Sequence, residues 1–300
     1  MGPGFDWLGC AVEDQGDTVT ARVLPDRPGE VVIEAIEGDG GRLSLVAAEN
    51  CAGIAALETL KLLGIPRCGV GIRLHKGLPL GSGLGSSAAS AAAGAMAVNA
   101  LFGAPLAKAA LVPAGLASEA AVSGYHADNI APALLGGFIL IRSCRPLDMQ
   151  RLEFPGDLWF VLVNPLFSCP TAEMRAVLPG QVPLASAVHN CVMSGTLVAG
   201  IMGGDAALVG RALDSDVIVE PVRGPHIPGF AAVKRAARAA GAFGCTISGA
   251  GPTCVAVVDD PAVGARVAEA MVQAFTTEGG LEVNTARVVR LDQAGARLVH

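Results

Sequence analysis

Residues 79–90 read PLGSGLGSSAAS, with glycines at 81, 83 and 85, two serines, and then an alanine-rich run. The preceding VGIRLHK (70–76) alternates like a strand, so the order is strand, glycine loop, helix. Glycine lets backbone N–H groups turn toward a ligand with no Cβ in the way. A helix start adds unpaired N–H donors and the positive end of the peptide dipoles. Together they make a cradle for a di- or triphosphate. Ser86 and Ser87 stand where a hydroxyl caps the helix or ligates Mg2+. The plainer alternative is a flexible loop with a serine N-cap. No lysine follows Gly85, so this is not a Walker A loop. The glycines fall as GxGxG with no acidic residue near position 105, so it is not a Rossmann fingerprint either.

Outward from this loop, strand patterns are expected at 17–23, 30–36 and 69–75, with helices at 52–63, 86–101 and 106–121. Short strands follow at 137–142, 152–153 and 159–163. The stretch 137–165, around RPLDMQ, is a plausible seam between domains. Helical patterns then cover 185–202, 205–212 and 229–240. CTISGAGPTCVAVV (245–258) reads as strand, glycine loop, strand, followed by a helix at 262–275 and a last strand at 283–291. This is a two-part α+β protein, divided here into residues 1–145 and 146–300.

Composition narrows the function. The chain has 300 residues, 52% hydrophobic and 16% charged, with a mean hydropathy of +0.52 and a net charge of −6. With 2 Trp, 1 Tyr and 9 Phe and no basic cluster, neither base stacking nor phosphate-backbone binding is expected, so nucleic acid is not a partner. Two runs lack Asp, Glu, Lys and Arg: between Lys76 and Lys108, and 186–204. A helix over 86–101 is only about 24 Å long, short of the ~30 Å hydrocarbon core. The second run carries His189 and Asn190. Both are expected to be buried core helices, with no membrane partner. The eight scattered cysteines form no CxxC or zinc spacing and read as buried small hydrophobes in a reducing compartment. The start MGPGFD has no secretory leader pattern.

PLGSGLGSSAAS resembles the phosphate loop of the superfamily of galactokinase, homoserine kinase, mevalonate kinase and phosphomevalonate kinase, the GHMP kinases. GPGFD (2–6) resembles its N-terminal motif and SGAGPT (248–253) its C-terminal glycine loop. GYHADNIAPALLGGF (124–138), PTAEMRAVLP (170–179) and IVEPVRGPHIPGF (218–230) are similar to the homoserine kinase branch, and to its plant type most of all. The resemblance covers nearly the whole chain. It implies a two-domain fold, with an N-terminal ATP-binding domain like ribosomal protein S5 domain 2 and a ferredoxin-like C-terminal domain. It also implies transfer of the γ-phosphoryl group of ATP to the side-chain hydroxyl of L-homoserine, a step of threonine biosynthesis. The family motif starts with a strand and an Asn-Leu before GPGFD, so the first strand is expected to be missing here.

The resemblance also places roles on residues. Pro79, Leu80, Gly81, Ser82, Gly83, Leu84, Gly85, Ser86 and Ser87 would wrap ATP, with Asn50 and Lys76 in the nucleotide pocket. Ser87 and Glu119 would hold Mg2+. A homoserine zwitterion needs guanidinium forks for its carboxylate and an anion for its ammonium; Arg175 and Arg223 match the first need and Asp6 the second. Thr171 precedes Arg175 by four residues, one face if the stretch is helical. His126, Asp128 and Asn129 lie in the HADN segment, where Asn129 would orient the acceptor hydroxyl and Asp128 polarise it. With no general base, catalysis would rest on positioning and charge stabilisation. Gly249 and Gly251 would allow close backbone approach near the substrate, and Thr253 would donate a hydrogen bond. The family further suggests a homodimer, in the chloroplast stroma of a photosynthetic eukaryote and otherwise in the cytoplasm. Rival readings are another GHMP kinase with a different alcohol acceptor, and a non-catalytic ATP-binding relic.

Overall fold

The computed structural model describes every residue except 15, 123 and 300. It comprises two compact units, neither of them contiguous in sequence. The amino-terminal unit is Gly9–Leu80, Gly85–Gln150 and Asp292–His300; the carboxy-terminal unit is Met1–Leu8, Gly81–Leu84 and Arg151–Leu291. The seam follows Gln150, inside the stretch 137–165 read as a seam and five residues beyond the division at 145/146, and three short segments change sides. Contacts remote in sequence decide this. The backbone at Gly2 lies so close to Leu213 that a Cβ there would sit 2.4 Å from the Leu213 carbonyl oxygen. Asp292 N donates to Ala11 O at 3.0 Å, and Gly137 N donates to Asp292 O at 2.7 Å.

In the amino-terminal unit, β4 (Val70–His75) is the central strand between β2 (Thr18–Val23), antiparallel to it, and β3 (Val31–Glu37), parallel to it. Val70, Ile72 and Leu74 of β4 are buried, the alternation visible in the sequence. Helices α1 (Cys51–Leu62) and α2 (Ser86–Leu101) pack together through alanines, with Ala52, Ala55, Ala88, Ala91 and Ala95 almost fully buried. Gly94 brings the two backbones so close that a Cβ there would meet Ala52 O at 2.6 Å. That spacing is why the apolar excess of this chain lies in Ala and Gly. Helices α3 (Lys108–Val122) and α4 (Ile130–Leu135) complete the layer. A further sheet has the order β1-β5-β6, from Leu8–Cys10, Phe138–Cys144 and Leu147–Leu152. RPLDMQ, expected at a seam, turns into and forms most of β6.

The carboxy-terminal unit holds an antiparallel sheet of order β10-β7-β9-β8: Val283–Arg290, Trp159–Pro165, Cys254–Val258 and Gly244–Ile247. With helices between β7 and β8 and after β9, this is the ferredoxin-like βαββαβ arrangement. Strand β9 is buried throughout. Helices α9 (Phe230–Ala239) and α10 (Pro261–Thr277) share its core. The short helices α5 (Thr171–Ala176) and α8 (Glu220–Arg223) carry the two arginines singled out above. Helices α6 (Leu184–Gly203) and α7 (Ala206–Leu213) pack against each other.

Two expectations fail in this unit. The uncharged run at 186–204 forms α6, but only Leu197, Gly200 and Ile201 of that helix are buried. By length and composition alone α6 could cross a membrane. The cysteines are all unpaired, yet Cys191 on α6 is exposed. Cys169, Cys245 and Cys254 are buried as expected, and burial pushes the Cys169 thiol up to about 11.

Candidate active site

Two clusters of functional side chains form, one in each unit. In the amino-terminal unit, β4 delivers the chain to Lys76, whose ammonium is buried. It pairs with Asp17 and donates to Ser86 O at 3.0 Å and Ser90 Oγ at 2.9 Å. Asp17 also accepts from Ser90 Oγ at 2.6 Å and from the backbone N–H groups of Gly77 and Leu78 at 2.9 and 3.2 Å. Ser86 Oγ donates to Leu78 O at 3.1 Å. This ion pair ties the entry of the glycine loop to the first turn of α2. The side chains of Lys76 and Asp17 are 1% and 0% exposed, which corrects the placement of Lys76 in a nucleotide pocket: its charge is spent inside the fold. Asn50 is corrected likewise. It caps α1, accepting from Ala52 N at 3.0 Å and donating to Ser44 O at 3.0 Å.

Gly81, Gly83 and Gly85 have φ of +67°, +78° and +71°, so the alternating glycines supply alternating left-handed turns. Gly85 itself occupies the N-cap of α2, and neither Ser86 nor Ser87 caps the helix. Ser87 Oγ instead donates to Glu119 Oε1 at 2.9 Å, and Glu119, on α3, is 1% exposed. Two oxygen donors from distant parts of the sequence thus meet at the start of α2. In the HADN segment, His126 Nδ1 lies 3.2 Å from Asp128 Oδ1, with both side chains largely buried. The Asn129 amide faces Gly85: a Cβ on Gly85 would lie 3.6 Å from Asn129 Oδ1. Gly9 fits beside this segment only as glycine, because a Cβ there would be 1.6 Å from Asp128 O.

The carboxy-terminal unit brings together Asp6, Arg175 and Arg223, which lie far apart in sequence. Arg175 donates through both terminal nitrogens to the two Asp6 oxygens, each at 2.8 Å. Both side chains are 36% exposed. The Phe5 ring lies beneath both guanidinium groups, 5.4 Å from that of Arg175 and 4.8 Å from that of Arg223, a cation–π geometry. Arg223 is buried and donates to Met174 O at 2.8 Å and Gly249 O at 3.0 Å. Thr171 and Arg175 share α5, with Thr171 exposed at its first turn.

Gly249 and Gly251 serve a second purpose beyond the substrate contact expected of them. A Cβ on Gly83 would lie 2.4 Å from Ser248 O and 2.6 Å from Gly251 O, so the segment 81–84 and the loop 248–253 touch backbone to backbone. Ser248 Oγ donates to Gly83 O at 2.9 Å and Thr253 Oγ1 donates to Ser82 O at 2.6 Å. The C-terminal glycine loop therefore fixes the conformation of the phosphate loop. Sequence reasoning found Thr253 as a donor but missed Phe5, Asp17, Ser90 and Ser248. Phe5 lay inside a motif already noticed; nothing in the spacing pointed to Asp17, 59 residues from its partner.

Comparison with known proteins agrees with these features. The family model for the GHMP kinases N terminal domain matches residues 50–137, and that for the GHMP kinases C terminal domain matches 197–277. The chain is 58% identical to a homoserine kinase of Arabidopsis thaliana, over 100% of this chain and 82% of that protein. It is 45% identical to one of Chloroherpeton thalassium, over 93% and 90%. Among solved structures, a homoserine kinase from Cytophaga hutchinsonii superposes with a TM-score of 0.92 at 41% identity, covering 98% of this chain and 92% of that one. An L. major mevalonate kinase shares the fold, with a TM-score of 0.68 at 18% identity, covering 95% and 88%. The alternating glycine loop, the HADN segment and full-length similarity to the homoserine kinases lead to one conclusion: this chain belongs to the homoserine kinase branch of the GHMP kinase family.

Proposed function

We propose that the protein transfers the γ-phosphoryl group of ATP to the side-chain hydroxyl of L-homoserine, giving O-phospho-L-homoserine and ADP. The observation that carries the choice of acceptor is the cluster of Asp6, Arg175 and Arg223. A half-exposed carboxylate and guanidinium, with the buried Arg223 guanidinium beside them over the same Phe5 ring, match an amino acid's ammonium and carboxylate. Mevalonate has no ammonium for Asp6, and galactose has neither charge. In the ligand-free chain Asp6 and Arg175 satisfy each other. An incoming zwitterion replaces that contact charge for charge, its ammonium on Asp6 and its carboxylate on Arg175, so neither residue is left bare. Phe5 holds the guanidinium planes in place during the exchange.

The loop amides from Gly81 to Ser87 bind the phosphates at the start of α2. Ser87 Oγ and Glu119 fit Mg2+, a hard cation that takes few protein oxygens and completes its shell with phosphate oxygens and water. A bound Mg2+ would supply positive charge to neutralise the phosphate oxygens. Asn129 orients the acceptor hydroxyl, and Asp128, whose Oδ1 lies 3.2 Å from His126 Nδ1, polarises it. The remaining acceleration comes from positioning and from the loop's N–H donors.

The test is ADP release from Mg-ATP with L-homoserine, mevalonate and galactose run in parallel. Turnover with homoserine alone is expected. Preference for another acceptor, or ATP binding with no turnover, would overturn the proposal. Glu119→Gln should lower kcat by about 100-fold or more while the chain stays folded by circular dichroism.

A further inference from the structure

Strand β7 is buried from Phe160 to Pro165, and all but one of those residues are apolar. The exception is Asn164, 3% exposed. A valine would suit the rest of the strand, whereas a buried amide costs free energy unless its oxygen and its nitrogen are both bonded. The strand order β10-β7-β9 supplies the partners. Asn164 stands opposite Thr285 of β10, and Val163 opposite Cys254 of β9, so Asn284 and Thr253 flank Asn164 at one end of the sheet. Asn284 Nδ2 donates to Asn164 Oδ1 at 3.1 Å, and Asn164 Nδ2 donates to Thr253 Oγ1 at 3.0 Å. Thr253 is fully buried, and its hydroxyl donates in turn to Ser82 O at 2.6 Å.

This chain of bonds has a direction. A threonine hydroxyl has a single proton. Because its oxygen accepts from Asn164, the Thr253 hydroxyl keeps that proton for Ser82 O. Asn284 in turn holds the Asn164 amide the right way round. Ser82 O belongs to the peptide unit that ends in the Gly83 N–H, and in a planar trans peptide the C=O and N–H point opposite ways. Drawing the carbonyl onto Thr253 therefore turns the Gly83 N–H away from the loop 248–253. That N–H makes no hydrogen bond among the described residues. From this relay we infer that Asn164 is a positioning residue for the phosphate loop. By orienting the Thr253 hydroxyl it fixes the Ser82–Gly83 peptide and presents the Gly83 N–H to a nucleotide phosphate.

The inference rests on the reading of residues 79–87 as a phosphate site, so the probe is Mg-ADP, whose binding needs no acceptor. Asn164→Asp keeps the size of the side chain, but a carboxylate only accepts. The Thr253 proton then turns to it and leaves Ser82 O. Mg-ADP affinity should fall by about 10-fold or more, the loss of a hydrogen bond to a charged group, with KM for homoserine unchanged. Burial raises the pKa of the new carboxyl, and once protonated it donates to Thr253 as the amide did. Lowering the pH from about 8 to about 5.5 should therefore bring the variant back toward wild type at the same pH. In a Thr253→Val chain, Asn164→Asp should weaken Mg-ADP no further. Wild-type affinity throughout, a loss of equal size at both pH values, or a loss that persists beside Thr253→Val would each overturn the inference. Should Asn164→Asp not fold, Asn284→Asp, at an exposed position, turns the Asn164 amide round and should weaken Mg-ADP in the same direction; no change there would overturn the inference. A wild type that binds no Mg-ADP would defeat the phosphate-site reading and the relay together. Binding without homoserine turnover would defeat only the proposed acceptor.

Discussion

Two ion pairs in this molecule look alike on paper and differ in what surrounds them. Lys76–Asp17, in the amino-terminal unit, is sealed from water and further bonded to Ser86, Ser90, Gly77 and Leu78. Asp6–Arg175, in the carboxy-terminal unit, is bidentate but one third exposed. A buried pair has no substitute partner, because water cannot reach either charge once the other is removed. A partly exposed pair can exchange its partner for solvent or for a ligand of matching charge. The first is therefore architecture and the second can exchange its partner, although the sequence reading gives Lys76, like Asp6 and Arg175, a ligand contact.

Substitutions can break or sharpen that contrast. Lys76→Met leaves Asp17 buried and uncompensated and should cost about 3–5 kcal/mol of stability, read by urea unfolding. A loss below about 1 kcal/mol would show that the pair is not architectural. Arg175→Met removes a group that solvent can replace, so stability should fall by less than about 1 kcal/mol. Its KM for homoserine should instead rise by about 10–100-fold, the loss of a charged bidentate contact, with ATP binding intact. An unchanged KM would remove Arg175 from the acceptor site and collapse the comparison.

A finer contrast lies within the glycine loop. Gly81→Ala places a Cβ at a left-handed backbone position whose nearest neighbour is the side-chain hydroxyl of Ser168, 3.2 Å away, and should cost about 1–2 kcal/mol. Gly83→Ala has the same handedness problem and also meets backbone oxygens of Ser248 and Gly251. It should be clearly the worse of the two by thermal unfolding. Equal shifts would mean that the close approach of the loop 248–253 is unimportant.

Regular elements were legible in the sequence because they depend on local patterns. Helix α2 begins and ends where the alanine run does, at Ser86 and Leu101, and β4 follows its alternation. The short β1, at Leu8–Cys10, escaped because three residues carry no period. Helix α6 was recognised as a helix and misplaced as a core element, since an apolar face reads the same whether its own chain or something else covers it. The family resemblance, rather than any local pattern, pointed to Glu119 and to the set of Asp6, Arg175 and Arg223, which the fold brings together.

What the sequence determined by itself is the strand–glycine loop–helix, the order of elements and the family. These follow from backbone preferences over a few residues and from side-chain periodicity. Tertiary structure alone decided which charges are free to meet a ligand. Asp17 reaches Lys76 across 59 positions of chain and Asp6 reaches Arg175 across 169. Only the fold brings such partners within 3 Å and sets how much water remains around them, and that water decides whether an ion pair holds the structure or gives way to a substrate.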